Sequence, residues 1–494
     1  MSGRLLGYLK FELNMKKLIL SLAFLAIGAT ICGKVTLGPA IGPNMVLQQK
    51  TNARIYGKAD PGCEITVTPS WSGKTYTTTT DRTGEWSLAV ETPEGGFRPY
   101  EIVVSDGEPV MLSNVLVGEV WLASGQSNMQ MPLKGFPGCC VKDGYDEIAG
   151  ARESAGKVRF FTVPLTQSYE PLDTVDACWE VPSPQTAPEF SAVAWHFANR
   201  LSKVLDVPVG VVSAAYGGAM VESWTPRELL ETYEDVSLLP SDVEKLVHYR
   251  RPMLMYNAMF NPVSNYTYKG IIWYQGCSNV STYETYAERL ANMVRAWRDS
   301  IGLGDIPFYA VEIAPYQYDN PIEQGKSPFL REAQWKSIEL IPNSDMICIN
   351  DLVEPFERYN IHPGNKAAVG KRLGDLALNK TYGGKQFLAI SPKYKSHRFE
   401  DGAAIVAIDS PGDGICRNYD IRGFEVAGDD RVFHPADSVY FRWQTNEMVV
   451  SSKEVPDPVA VRYGFRDFLP GTVCGGNYLP LIPFRTDNWT DPTD

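Results

Sequence analysis

Histidine is scarce in this chain, five among 494 residues, so any chemistry that needs an imidazole base has few candidates. Basic residues are in deficit, 46 Lys and Arg against 58 Asp and Glu, for a net charge of -12. With no cationic surplus to displace counterions, a nucleic-acid partner is excluded. The nine cysteines show no repeated C-x-x-C and no Cys/His cluster, so neither a metal nor a cofactor is expected. Internal repeats and low-complexity linkers are absent, and no apolar run is long enough for an integral membrane span. The longest run near the amino terminus, Leu18 to Ile27, follows Lys16-Lys17 and precedes small residues from Ala29 to Gly33. That order of charge, short apolar stretch and small residues reads as a secretory signal over 1–33, with Met15 as an alternative start. Export to the periplasm or the exterior is the expectation. A lipoprotein anchored at Cys32 is disfavoured, because Ile31 fits a small-residue cleavage site poorly.

A hydrophobic fraction of 44% and an aromatic fraction of 11% support sizeable cores, and the length suits two or three domains. Residues 34–116 carry short alternating strands punctuated by Asp60-Pro61-Gly62 and Asp81-Arg82-Thr83-Gly84, the pattern of a small β-sandwich. From 117 to 385 apolar strands alternate with helical stretches: Val120–Ala123, Val209–Ser213, Ile271–Tyr274, Phe308–Ile313 and Met346–Ile349. Helices are expected over Ala187–Leu205, after a capping box at Ser281-Thr282-Tyr283-Glu284, and over Asn365–Leu378. Such alternation predicts an α/β domain with a mostly parallel sheet covered on both faces. Strand patterns return over 386–494 as a second β region. Cys139, Cys140 and Cys178 are candidates for one disulfide bridge.

In parallel sheets the chemistry lies beyond the carboxyl ends of strands. Gly125-Gln126-Ser127-Asn128-Met129 follows the first, placing a lone serine where a strand ends and a turn begins. A serine attacks carbonyls only when exposed, paired with a base and faced by oxyanion donors. Tyr216-Gly217-Gly218 follows the second strand, and Trp273-Tyr274-Gln275-Gly276-Cys277-Ser278-Asn279 the third. Of the histidines, His196 lies mid-helix, His248 among Tyr249-Arg250-Arg251, and His397 and His434 in the C-terminal β region. His362 stands at the last strand-to-helix connection, where Pro363 suits a helix's first turn.

Gly125–Met129, Trp273–Gly276 and Ile361-His362-Pro363 with Lys366, Val369-Gly370 and Arg372-Leu373 resemble the sialate O-acetylesterase family of SGNH-type hydrolases. Met45–Gln48, Pro61-Gly62, Gly84-Glu85-Trp86, Val461–Tyr463 and Phe484–Asp487 extend the resemblance over nearly all the mature chain. It implies a flavodoxin-like SGNH three-layer sandwich flanked by N-terminal and C-terminal β-sandwich regions. It implies Ser127 as nucleophile and His362 as base. The Ser127 amide, Gly217 or Gly218, and a side-chain amide from Gln275 or Asn279 would form the oxyanion hole. The implied substrate is an O-acetylated sialic acid or glycan, cleaved through an acetyl-serine; an acetylated polysaccharide such as xylan is the near alternative.

Two departures stand out. Cys277 occupies a position where many relatives carry Glu, and Asn360 one where many carry Asp. Either Asp351, with Glu354 and Glu357 as further upstream carboxylates, orients His362, or a Ser-His dyad works with a backbone carbonyl. Cys277 as a second nucleophile is the bolder reading, and a neutral replacement the plainer one. Arg227, Arg250, Arg251 and Arg331 are candidates to grip a sialate carboxylate. The competing class is a glycan-binding protein with a silenced site; a protease or lipase is the third.

Overall fold

The computed structural model describes residues 34–412, 414–416 and 420–490; the expected leader and Cys32 lie outside them. The chain clusters into two compact units. The smaller takes in the described residues up to Leu37, with Tyr56–Leu88 and Ile102–Met111. It is built of strands: Glu64–Pro69 pairs antiparallel with both Tyr76–Thr79 and Gly96–Ser105. Ile65 and Val67 point inward while Glu64 points to solvent, the period-two pattern of a half-buried strand.

The larger unit holds a mixed α/β region built on a central sheet. Its strands are β1 (Pro109–Gly125), β2 (Val158–Thr162), β3 (Trp179–Glu180), β4 (Val209–Ala215), β5 (Gly270–Tyr274), β6 (Phe308–Val311) and β7 (Ser344–Ile347). The order is β3–β2–β4–β1–β5–β6–β7. Every neighbouring pair is parallel except β3 on β2. The cause is legible in β4, Val-Gly-Val-Val-Ser-Ala-Ala, and β5, Gly-Ile-Ile-Trp-Tyr, which are buried along their whole length. Continuous apolar runs of that kind settle only where both faces are covered.

Five helices matter for the site: α1 (Ser127–Gln130), α2 (Ala192–Leu205), α3 (Tyr283–Ile301), α4 (Ser327–Leu340) and α5 (Lys366–Lys380). Ile272 and Tyr274 of β5 share a core with Val193, Phe197 and Leu201 of α2 and with Val369, Leu373 and Leu376 of α5. The intervening Trp273 points to the other face and meets Trp297 of α3, ring centroids 5.7 Å apart. Helices therefore cover both sides of the sheet.

The capping box expected before α3 does not form. Thr282 is the N-cap but makes no side-chain cap bond, and its hydroxyl donates instead to the Asn279 carbonyl at 3.3 Å. Pro363 lies ahead of α5, which starts at Lys366 under the Asn365 side chain, its cap accepting from the Ala368 amide at 3.2 Å. Cys139, Cys140 and Cys178 are free thiols rather than a bridge.

Residues beyond 386 form two four-stranded sheets with antiparallel neighbours. Val406, Met448 and Val450 of one sheet share a core with Val426, Val461 and Phe484 of the other. Among the described residues, no helix is long and apolar enough to cross a membrane.

α5 crosses α2 at Gly370, where an added Cβ would stand 2.4 Å from the Val193 carbonyl oxygen. Gly370→Ala must push the helices apart or strain them, a loss of about 1–3 kcal/mol. Denaturant unfolding measures it; an unchanged midpoint would contradict this account of the crossing.

Candidate active site

The chain reaches β4 on one side of β1 and β5 on the other, so a crevice opens at the carboxyl end of β1. Gly125 closes that strand at φ 137°, a conformation open to glycine, with room for no Cβ: one would lie 2.2 Å from the Tyr274 oxygen. Gln126 then ties the turn to β5. Its amide donates to the Tyr274 carbonyl at 2.9 Å, and its side-chain oxygen accepts from the Gly276 amide at 2.8 Å. Ser127 follows at the first position of α1, half-buried.

His362 comes from the connection between β7 and α5. Its Nε2 stands 2.8 Å from Ser127 Oγ, so the structure brings together the two residues singled out as nucleophile and base. Asn128 holds the two segments in register. Its Nδ2 donates to the Ile361 carbonyl at 3.0 Å, while its Oδ1 accepts from Lys366 Nζ at 2.6 Å. Lys366 is fully buried, and burial brings its ammonium down from 10.5 to about 7. The same burial, with the Lys366 charge second, lowers His362 from 6.5 to about 4. The imidazole is therefore neutral and able to accept a proton across the whole neutral range.

The expected acid is elsewhere. Both oxygens of Asp351 are engaged by the Arg372 guanidinium, at 2.7 and 2.6 Å, rather than by the imidazole. Glu357 accepts from the Glu354 and Gly364 amides, bracing the loop that carries His362. The Nδ1 side of the ring faces Cys139 Sγ at 3.9 Å, and Asn360 Oδ1 accepts from the His362 backbone amide at 3.0 Å.

The expected oxyanion donors are mostly occupied too. The Gly217 amide donates to Gln130 Oε1 at 2.7 Å. Gln275 Nε2 donates to the Ala219 carbonyl at 3.1 Å and to Asn279 Oδ1 at 2.7 Å. Asn279 Nδ2 donates to Glu222 Oε2 at 3.0 Å, and Glu222 in turn pairs with Arg289 at 2.6 Å. Gln275 and Asn279 thus hold the turn after β4 in place rather than face the serine. Among the described residues, the Ser127, Asn128 and Gly218 amides have no protein acceptor, and the first two are the open donors of a helix start.

Cys277 is buried, and burial raises its thiol to about 11, which leaves a poor nucleophile. Arg331 is buried and donates to Ser327 and to the Gly464 and Arg466 carbonyls; Arg251 reaches backbone carbonyls at Glu244 and Leu246. Arg250 pairs loosely with Glu323 at 3.4 Å and keeps a buried, unpartnered Nε. Its neighbour Tyr249 lies over Gly218, where a Cβ would meet the ring at 2.5 Å. No group of three His, Cys, Asp or Glu among the described residues is placed to hold a metal. A half-buried alcohol, a neutral imidazole and open amides together can move an acyl group through a serine ester.

A family-wide sequence profile described as carbohydrate esterase, sialic acid-specific acetylesterase matches residues 117–379. The mouse (Mus musculus) sialate O-acetylesterase is 29% identical over 408 residues, covering 70% of this chain and 74% of that protein. The human (Homo sapiens) sialate O-acetylesterase is 26% identical, over 71% of this chain and 72% of its own length. A crystal structure of a carbohydrate acetylesterase from Xanthomonas citri aligns with a TM-score of 0.82 and 32% identity, over 92% of this chain and all of that one.

With the imidazole held neutral down to about pH 4, the acid limb of kcat/KM is expected near that pH rather than near 6.5. The unfolded chain takes up this proton near 6.5 and the folded one only near 4, so stability falls as pH drops through that window. A pH–rate profile with its acid midpoint above 6 would overturn the assignment. Asn128→Ala, which unties the two segments, is expected to lower kcat by up to ~100-fold with KM little changed. Steady-state kinetics reads this directly.

Proposed function

Because the chain belongs to the sialic acid-specific acetylesterase family of carbohydrate esterases, we propose that it is an exported serine esterase releasing acetate from O-acetylated sialic acids. The observation that carries this reading is the 2.8 Å contact between Ser127 Oγ and His362 Nε2. Ser127 attacks the acetyl carbonyl while its proton passes to Nε2. The oxyanion meets the open amides of Ser127 and Gly218, each donor worth about 3 kcal/mol of barrier. The imidazolium then returns the proton to the departing sugar oxygen, leaving an acetyl-serine. Water, deprotonated by the same nitrogen, attacks that ester, and acetate departs as the serine is regenerated. The SGNH three-layer layout belongs to the same proposal: the parallel sheet, its switch at β1 and helices on both faces support it. Export rests on the lysine pair and short apolar run ahead of residue 33.

Sialic acid differs from neutral acetylated sugars by its carboxylate. Arg250, part-exposed, with an unpartnered Nε and beside Tyr249, is the arginine proposed to meet it. An acetylated neutral glycan remains the alternative where that grip is absent.

Acetate release from O-acetylated sialic acids, acetylated xylan and an aryl acetate tests the reading. Ser127→Ala and His362→Ala are each expected to lower kcat by about 10³-fold or more. Equal rates for wild type and Ser127→Ala would instead favour a glycan-binding protein with a silent site. Arg250→Ala is expected to raise KM about tenfold for the acetylated sialate, the loss of one charged contact, and to leave the aryl acetate unaffected. An equal change on both substrates would remove Arg250 from substrate recognition.

A further inference from the structure

His362 works as a base only in one tautomer. Nε2 must be bare to take the Ser127 proton, so the ring hydrogen sits on Nδ1 and needs an acceptor. In a full triad a carboxylate supplies it; among the described residues no carboxylate bonds to Nδ1, and both Asp351 oxygens lie on Arg372. What faces Nδ1 is Cys139 Sγ, at 3.9 Å. The thiol stands 3.6 Å from Asn360 Oδ1 as well. The orientation of that amide is set independently, because its oxygen accepts from the His362 backbone N–H at 3.0 Å. One arrangement of hydrogens satisfies every group. Ser127 O–H donates to Nε2, Nδ1–H donates to the sulfur, and S–H donates to Asn360 Oδ1.

Cys139 is held there by a tight turn. Phe136 and Cys139 exchange both backbone bonds at 2.9 Å, closing a loop over Pro137-Gly138 with Gly138 at φ 77°. The Phe136 ring meets the imidazole edge-on, centroids 5.3 Å apart, so the two ends of the turn clasp His362 from separate directions. Three residues on, the Lys142 amide donates to the Gly364 carbonyl at 2.9 Å, pinning this segment to the histidine loop.

We propose that Cys139 is the positioning residue of the Ser127–His362 pair, its sulfur accepting Nδ1–H where a triad has a carboxylate. The inference rests on the serine-esterase reading above. No proton moves onto or off the sulfur in the cycle: the imidazolium keeps Nδ1–H on sulfur while Nε2 carries the serine's proton. A neutral thiol orients the ring but contributes little charge to stabilise the imidazolium. The low proton affinity of His362 agrees with that. The histidine loop and the 136–139 turn lie 223 residues apart, so no local sequence pattern marks the pair.

The test uses the full chain, an aryl acetate, and nitrogen-15 spectra of the histidine ring. Cys139→Ala is expected to lower kcat ten- to a hundredfold with KM within twofold, and to replace a single Nδ1–H tautomer by a mixture. Triad serine proteases lose about 10⁴ in kcat when the carboxylate partner is made unable to hold the tautomer, and a weaker acceptor has less to lose. Cys139→Asp is expected to restore the single tautomer and to move the acid limb of the rate profile upward, because a carboxylate favours the imidazolium. If Cys139→Ala fails to fold, Cys139→Ser and Cys139→Asp decide through the same tautomer signature and acid limb. A Cys139→Ala enzyme within twofold of wild type and unchanged in tautomer overturns the proposal, as does a Cys139→Asp profile that stays put. Ser127→Ala, run beside them, separates the two readings. If it keeps the wild-type rate, the serine mechanism itself fails; if it is inactive while Cys139→Ala is not, only the cysteine's role fails.

Discussion

Two side chains 235 residues apart must meet within one hydrogen bond, and most of the larger unit is arranged around that requirement. The serine is fixed by β1 and its neighbours: Gly125 presses on Tyr274, and Gln126 bonds to the turn after β5. The histidine is fixed from the far side, by α5 lying on α2 through Gly370 and by the carboxylate of Glu357 under Gly364. Asn128 joins the two halves directly, one face of its amide on Ile361 and the other on Lys366. Because interiors are close-packed, a small shift in α5 carries straight to the imidazole.

Charge around the pair is set by burial. Among the described residues no carboxylate is hydrogen-bonded to the buried Lys366, whose ammonium donates to a neutral amide. Isolated buried cations are costly, and the usual relief is loss of the proton. Cys277, near enough to act on Lys366, is a thiol that stays protonated. The site thus holds a lysine that titrates near neutrality beside a histidine that does not.

The meeting of Ser127 and His362 was legible in the sequence because local context marks both: a strand that ends in a glycine turn, and a histidine just before the last long helix. The parallel sheet was legible for the same reason, from apolar runs buried on both faces. Asp351 was a reasonable carboxylate by position, but Arg372, 21 residues on and two turns into α5, reaches it first. Gln275 and Asn279 follow a sheet strand as oxyanion donors should, yet Glu222, Ala219 and Thr282 take their hydrogens. Ser281–Glu284 has the spacing of a capping box, but a turn of tighter helix over Cys277–Thr282 precedes α3 and uses the threonine differently. At Asp351 and Gln275 a partner distant in sequence outcompetes the local expectation, while the capping box loses to a competing local turn. The roles of Gln130 and Cys139 carry no local signal at all.

The proposed acyl transfer asks two opposed things of one nitrogen. As a base it must take a proton from an alcohol, and as an acid it must give that proton to a departing sugar oxygen, itself a poor leaving group. Lowering the imidazole toward 4 weakens the first step and strengthens the second. A full triad carboxylate pushes the other way, favouring the imidazolium and therefore the attack. Where expulsion of an alkoxide limits the rate, an imidazole held by a neutral partner is the better compromise. For an activated aryl acetate, whose leaving group needs no proton, it is the worse one. Under the proposed mechanism the neutral partner suits esters of sugar alcohols, and the same neutrality that weakens the imidazole as a general base leaves it unprotonated in mildly acidic surroundings.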